Sequence, residues 1–225
     1  MSNLLQRIIS GIVMIGIAVF VLVKGGIVLD IFLLLLASIA AFEWHNMTKK
    51  SKSPYAWKTS GVFYIALPFL SVFYLLDFPG VVPIVIVWVC LTDIGAYAFG
   101  RIIGGTKLAP KISPKKTWAG LFGGMFMAGI SPLVALYIAY NLNPTFMEGT
   151  SNFEITTTLS IIAVAVAVIS QAGDLFESWV KRRFGVKDSG RIIPGHGGVL
   201  DRIDGYMFVM PIMAVYVMLG QVWGQ

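Results

Sequence analysis

The chain has 225 residues, 57% of them hydrophobic and only 12% charged, with a formal net charge of +6 and a mean hydropathy of +0.81. A soluble domain carries about 25% charged residues. This composition therefore excludes a soluble globular protein and, with apolar runs of about 20 residues, points to an all-α integral membrane protein. The positive balance suits anionic headgroups and phosphates. The aromatic-basic interleaving of a nucleic-acid module is missing, so no nucleic-acid partner is expected. Cys90 is the only cysteine and lies in an apolar run. That rules out an internal disulfide and a cysteine metal cluster, and a packed, inert thiol is expected.

In chain order, Arg7 precedes the apolar run Ile8 to Val23. No clear small-x-small cleavage site follows, so the run reads as a retained first span. Lys24-Gly25-Gly26 is a tight turn. Span two runs from Ile27 to Trp44, with Trp44 and His45 expected at an interface. The loop Asn46 to Lys58 carries Lys49, Lys50, Lys52 and Lys58, and reads as a topology signal that touches anionic lipid. Span three covers Thr59 to Leu76, and Asp77-Phe78-Pro79-Gly80 is a turn. Span four covers Val81 to Phe99. The loop Gly100 to Thr117 carries Arg101, Lys107, Lys111, Lys115 and Lys116. Span five covers Trp118 to Tyr140. Gly123, Gly124 and Gly129 within it read as sites of close helix packing. A loop from Asn141 to Glu154 leads to span six, Ile155 to Gly173. A polar stretch follows, and span seven covers Tyr206 to Trp223. The whole is expected to be one transmembrane domain over 1–225, a polytopic bundle of about seven transmembrane helices. Its N-terminal spans occupy 1–90, and the half that carries most of the charged residues occupies 91–225.

Seven spans place the N-terminus and the loops 46–58, 100–117 and 174–205 on one side. That side holds sixteen of the seventeen cations, and the other holds only Lys24. Loops rich in lysine and arginine stay in the cytoplasm. The expectation is a cytoplasmic N-terminus and an external C-terminus.

The stretch Asp174 to Gly205 reads DLFESWVKRRFGVKDSGRIIPGHGGVLDRIDG. It holds five of the eleven carboxylates and six of the seventeen cations. If span six continues as a helix, Asp174, Glu177, Ser178 and Lys181 line one face. Asp201 and Asp204 share a face if the second flank is helical too. Two carboxylates brought together from separate helix ends repel unless a cation lies between them. Magnesium takes one or two carboxylates and completes its shell with water and phosphate. Asp174 and Asp201 suit that task. The alternative is two exposed carboxylates paired with Arg182 and Arg202. Gly185, Gly190, Gly195, Gly197 and Gly198 leave backbone amides uncrowded, as phosphate-binding loops require. Lysine and arginine recognise the same oxygens. For His196 a phosphate contact, a proton carrier and a structural hydrogen bond all stay open. Asp93 is an ionisable group inside span four and so a functional candidate. It stands either near the cavity or metal site, or hydrogen-bonded to Thr92 and Tyr97 within the bundle.

Ser178-Trp-Val-Lys181-Arg182, Lys187-Asp188-Ser-Gly190 and Pro194-Gly-His196-Gly197-Gly198-Val-Leu-Asp201-Arg202-Ile-Asp204 together resemble the signature of the CDP-diacylglycerol synthases, also called phosphatidate cytidylyltransferases. Thr92-Asp93-Ile-Gly95-Ala-Tyr97 and Ile112-Ser113-Pro114-Lys115-Lys116-Thr117-Trp118 resemble that family as well. The resemblance is firm from Asp93 onward, and earlier it is only general hydrophobic character. It implies an inner-membrane bundle, often dimeric, with a cytoplasm-facing polar cavity. The implied reaction joins CTP to phosphatidic acid, giving CDP-diacylglycerol and pyrophosphate, with magnesium; a second cation such as potassium is left open.

By similarity, Asp174 and Asp201 are the metal ligands. Lys181, Arg182, Lys187, Asp188, His196, Arg202 and Asp204 line the phosphate region. Asp93, Ser113, Lys115, Lys116, Thr117, Ser178, Gly197 and Gly198 are expected at the substrates. The chain departs from the family where Ala119 replaces a common glutamate and Gly205 a common serine. It is also short in its N-terminal half. Two rival classes are a CTP-dependent kinase of the polyprenol or phytol type, which needs a base for an alcohol acceptor, and a small transporter. A transporter would carry charges at midplane and repeat symmetry, whereas here charges cluster at one face and no internal repeat is found.

Overall fold

The computed structural model describes residues 3–142 and 151–223. Glu148, expected in an external loop, lies outside them. The described elements are seven α-helices and one hairpin. In order they are α1 (Asn3–Lys24), α2 (Gly26–Thr48), α3 (Pro54–Leu75), α4 (Val81–Ile102), β1 (Lys107–Ala109), β2 (Ser113–Thr117), α5 (Trp118–Leu142), α6 (Ser151–Arg183) and α7 (Leu200–Trp223). All seven helices are long and apolar enough to cross a membrane. The chain is thus an all-α multi-pass membrane protein, and the seven expected spans are all present.

Local chemistry explains the helix ends. Gly25 and Gly26 take positive φ at the turn between α1 and α2, and Gly80 does so before α4. Pro54 stands in the first turn of α3, where its missing N–H costs nothing. That start is earlier than the expected Thr59. Thr117 caps α5 by accepting a hydrogen bond from the Gly120 amide at 3.0 Å. Pro132 inside α5 removes the N–H that would reach the Ala128 carbonyl. The Ser131 hydroxyl donates to that carbonyl instead, at 2.7 Å, so the backbone group stays satisfied in lipid.

The larger departures from expectation lie at the polar segments. With 33 residues, α6 is about 50 Å long, well beyond a hydrocarbon core of about 30 Å. Its final turns carry Asp174 to Arg183 as continuous helix. At the other flank α7 begins at Leu200, before the expected Tyr206. The loop 100–117 contains an antiparallel hairpin that pairs Lys107 with Thr117 and Ala109 with Ser113. One side-chain expectation fails. Cys90 is exposed on α4 rather than packed, because Val89 and Trp88 take the buried positions there. Trp44 is buried among protein side chains. Its indole donates to the Trp57 carbonyl at 2.8 Å.

The chain forms two compact units, Met1–Asp77 with Phe176–Gln225, and Phe78–Leu175. In the first, α3 packs on α7 and α2 on α3. Trp44, Trp57, Tyr64, Phe176, Trp179 and Phe208 form a continuous ring cluster. In the second unit α4 packs along α5, and glycine makes the approach possible. A side chain at Gly124 would stand 2.8 Å from the Thr92 carbonyl, and one at Gly120 2.8 Å from that of Ala96. One at Gly123 would strike the Phe99 ring, and one at Gly129 the Val164 side chain. The packing read from Gly123, Gly124 and Gly129 is therefore what the structure contains. Most remaining apolar side chains, such as Ile12, Ile15, Val23 and Ile27, point outward, as a lipid-facing surface requires.

Candidate active site

Within the second unit, β2 places Ser113, Lys115 and Thr117 on one face and Lys116 on the other, by strand alternation. The Lys116 ammonium lies 2.7 Å from Asp174 Oδ2 and donates to the Gln171 carbonyl at 3.4 Å. Asp174 is therefore paired with the hairpin lysine. Lys115 is exposed and Ser113 half-buried. Thr117 is buried, with its hydroxyl oxygen engaged in capping α5. Asp93 is exposed on α4. Of its proposed neighbours, Thr92 donates to the Trp88 carbonyl and Tyr97 accepts from Arg101. An apolar groove of about 520 Å³ in this unit is lined by Ile84, Val87, Trp88, Leu136 and Leu159 among others. It holds none of the expected polar residues.

In the first unit, the polar end of α6, the loop 184–199 and the start of α7 form a dense network. Lys181 is buried. Its ammonium donates to Glu177 Oε2 one turn earlier and to Asp201 Oδ1 at 2.7 Å. Asp201 Oδ1 also accepts from the Ser189 amide at 3.1 Å. Its Oδ2 accepts from the Ser189 amide at 2.9 Å and the Gly198 amide at 2.8 Å. Asp201 is thus no exposed partner of Arg202. The Arg202 guanidinium instead donates to the His196 carbonyl at 2.9 Å. His196 Nδ1 lies 2.8 Å from the Ser10 hydroxyl of α1, which favours the structural hydrogen bond among the roles left open. The turn closes through Ile193 N to Gly197 O at 2.9 Å. Gly197 takes φ +86°, and a side chain there would stand 2.8 Å from Asp201 Oδ2.

Arg182, Lys187, Asp188 and Arg202 are exposed, while Ser178 and Asp204 are half-buried. Asp204 accepts from the Gly205 amide at 2.8 Å. The structure gives Gly198 a different task from the expected phosphate contact. Its amide is used on Asp201, and a side chain there would strike Ser189 and Glu43. Sequence reasoning missed Glu43 and Ser189, and placed Glu177 on one face with Lys181 without giving it a role. Glu177 is fully buried, and its Oε1 has no hydrogen-bond partner. The i,i+4 spacing of Glu177 and Lys181 announced that pair. Glu43 is a carboxylate inside a span, and the rule applied to Asp93 applies equally to it.

Asp174 in the second unit and Asp201 in the first carry the oxygen-donor chemistry that a hard cation takes. Asp174 and Asp201 offer carboxylate oxygens, and each already holds an ammonium at 2.7 Å. Among the described residues no group of three or more His, Cys, Asp or Glu side chains forms a metal cage. Magnesium asks for no such cage, only one or two carboxylates beside phosphate and water.

A family model described as the cytidylyltransferase family matches residues 5–91 and 61–219. The chain belongs to this family. It is 39% identical over 215 residues to a protein of Rickettsia bellii (strain RML369-C) named phosphatidate cytidylyltransferase, covering 94% of this chain and 90% of that protein. A protein of the same name from Rickettsia felis (strain ATCC VR-1525 / URRWXCal2) is 37% identical, over 94% and 91% of the two chains. A third, from Staphylococcus haemolyticus (strain JCSC1435), is 42% identical over 72% of this chain but only 51% of its own. The cytidylyltransferase chain described here thus spans nine-tenths of the rickettsial proteins and about half of the staphylococcal one. Nothing in these similarities favours the lipid-kinase or transporter alternatives.

Proposed function

We propose that this cytidylyltransferase is a phosphatidate cytidylyltransferase, joining CTP and phosphatidic acid into CDP-diacylglycerol and pyrophosphate for phospholipid synthesis. Similarity over 94% of the chain to a protein of that name, across 90% of its length, carries the reading. The polar network around Asp201 gives it a chemical basis. A phosphate oxygen of phosphatidic acid attacks the α-phosphorus of CTP. The bond to the β-phosphate breaks, and pyrophosphate leaves with the electron pair. Both reactants are anions, so positioning and charge neutralisation carry most of the rate. The exposed cations Arg182, Lys187 and Arg202 supply positive charge for the phosphates, as does Lys115 from the hairpin. No general base is needed, because a phosphomonoester is ionised near neutral pH. His196, whose Nδ1 lies at the Ser10 hydroxyl, is given no proton-transfer role in this reading.

Magnesium is part of the proposal, with Asp174 and Asp201 as its protein ligands. When bound, it supplies charge neutralisation at phosphate oxygens. The seven helices act as one transmembrane domain with a polar cavity open to the cytoplasm. The membrane is the cell's inner membrane, with the N-terminus inside and the C-terminus outside, following the cation asymmetry. The working form is a homodimer.

The test is purified protein with labelled CTP, phosphatidic acid and magnesium, beside Asp201→Asn. Wild type should release labelled CDP-diacylglycerol, and the variant should be slower by roughly a thousandfold, about 4 kcal/mol of barrier. Wild type that makes no CDP-diacylglycerol from phosphatidic acid overturns the function. Omitting magnesium or potassium in turn tests each cation. A reporter fused after Gln225 that is active only in the cytoplasm overturns the orientation.

A further inference from the structure

One buried carboxylate has no part in the chemistry above. Glu43 lies near the C-terminal end of α2 and is 2% exposed. Its Oε1 accepts from the Val199 amide at 3.0 Å. Its Oε2 accepts from the Leu200 amide at 2.9 Å and the Ser189 hydroxyl at 3.1 Å. The first amides of a helix have no partner within it and favour an anion. Glu43 therefore caps α7 from a different helix. It also reaches Asp201 through Ser189. The Ser189 hydroxyl accepts from the Asp201 amide at 3.3 Å, while the Ser189 amide donates to both Asp201 carboxylate oxygens, at 3.1 and 2.9 Å.

The loop is built around this carboxylate. A side chain at Gly190 would strike Glu43, and one at Gly198 would strike both Glu43 and Ser189. These two glycines are thus explained by the approach of Glu43. Neither has a positive φ, so backbone conformation does not demand them.

We propose that Glu43 is a positioning residue for Asp201. It fixes the first turn of α7 and the orientation of Ser189, and so sets where the Asp201 carboxylate stands. The inference rests on Asp201 belonging to the transferase centre. A residue that merely stabilised the fold would alter the amount of folded protein but not the turnover of each folded molecule.

The test compares Glu43→Gln, Ser189→Ala and the double variant in the full-length protein. Glutamine keeps the size but turns an acceptor into an NH₂ donor facing another donor. In Glu43→Gln, kcat should fall about 10–100-fold, as for other partners that orient a reactive group. KM for CTP should move by less than about twofold, the mark of a lost transition-state arrangement. Ser189→Ala should lose less, and the double variant no more than Glu43→Gln, because both act through one path. Glu43→Asp should recover part of the loss. Deuterium exchange at residues 198–201 should quicken in Glu43→Gln.

Unchanged exchange there overturns the inference whatever the turnover. So does a lowered thermal midpoint with kcat per folded molecule unchanged, or additive losses. If Glu43→Gln does not fold, Ser189→Ala decides alone, and an unchanged kcat in it overturns the inference. Wild type that makes no CDP-diacylglycerol would instead bring down the function, and exchange would still report whether Glu43 holds the start of α7.

Discussion

Where α4 meets α5, the helices touch through what is missing. Gly95, Gly120, Gly123 and Gly124 remove side chains so that one backbone can lie against the other. Around Asp201 the chain is held through what is present: Lys181, Ser189, Gly198 and Glu43 saturate one another with hydrogen bonds. Lipid explains the first device, since apolar surface gains little by leaving lipid for another helix and contact must come from close packing. The second belongs to a segment too polar for lipid, where an unpartnered carboxylate is costly. Small residues set distance, and charged ones set position. Under the proposed function, the second kind of order falls on the segment assigned to the phosphates.

The comparison breaks most readily at Lys181. In Lys181→Met, Glu177 and Asp201 lose the ammonium between them. Breaking a buried pair costs about 3–5 kcal/mol. The thermal midpoint should fall by roughly 10 °C and turnover should be lost with it. A midpoint within a degree or two of wild type would show that the network bears little of the fold. Gly124→Ala comes next, at about 1–3 kcal/mol for overpacking, read as the midpoint of detergent-solubilised protein. Gly16→Ala in α1 has nothing within 4 Å to meet and should gain about 0.5–1 kcal/mol from helix propensity. Opposite signs for one chemical change would sharpen the contrast, and equal signs would remove it.

Lys116→Met should separate charge from stability. Its pair with Asp174 is partly exposed, so stability should shift by less than about 1 kcal/mol. kcat/KM for CTP should nevertheless fall about tenfold, near 1.4 kcal/mol of barrier. The smallest effect is expected at Lys52→Ala in the 46–58 loop. Stability there should stay within about 0.5 kcal/mol, with turnover intact. A large loss of turnover would give that loop a role beyond topology.

What could be read in advance follows from how local each signal is. Seven spans were legible because length and hydropathy are properties of contiguous residues. The C-terminal end of α6 was legible only in part. Asp174, Glu177 and Lys181 share helical spacing, yet their polarity hid the continuation of α6 to Arg183. The hairpin was not foreseen, since a three-residue strand among lysines gives no alternation to detect. Gly190 and Gly198 were visible as glycines, but their reason was not, because the group that crowds them sits in α2. Glu43 stood in plain view as a charge within a span. Its partners lie 146 to 157 residues away, and no periodicity reports a contact at that separation.

That separation has a consequence for biosynthesis. Synthesis proceeds at about 5–20 residues per second, so Glu43 leaves the ribosome roughly 8–30 s before the amides that will receive it. Throughout that interval the second helix must be threaded into the bilayer with an acidic group near its end and no mate yet made. The start of α7 therefore completes the contacts of Glu43, and a chain interrupted before residue 199 is left with its earlier spans inserted and that carboxylate still unmatched.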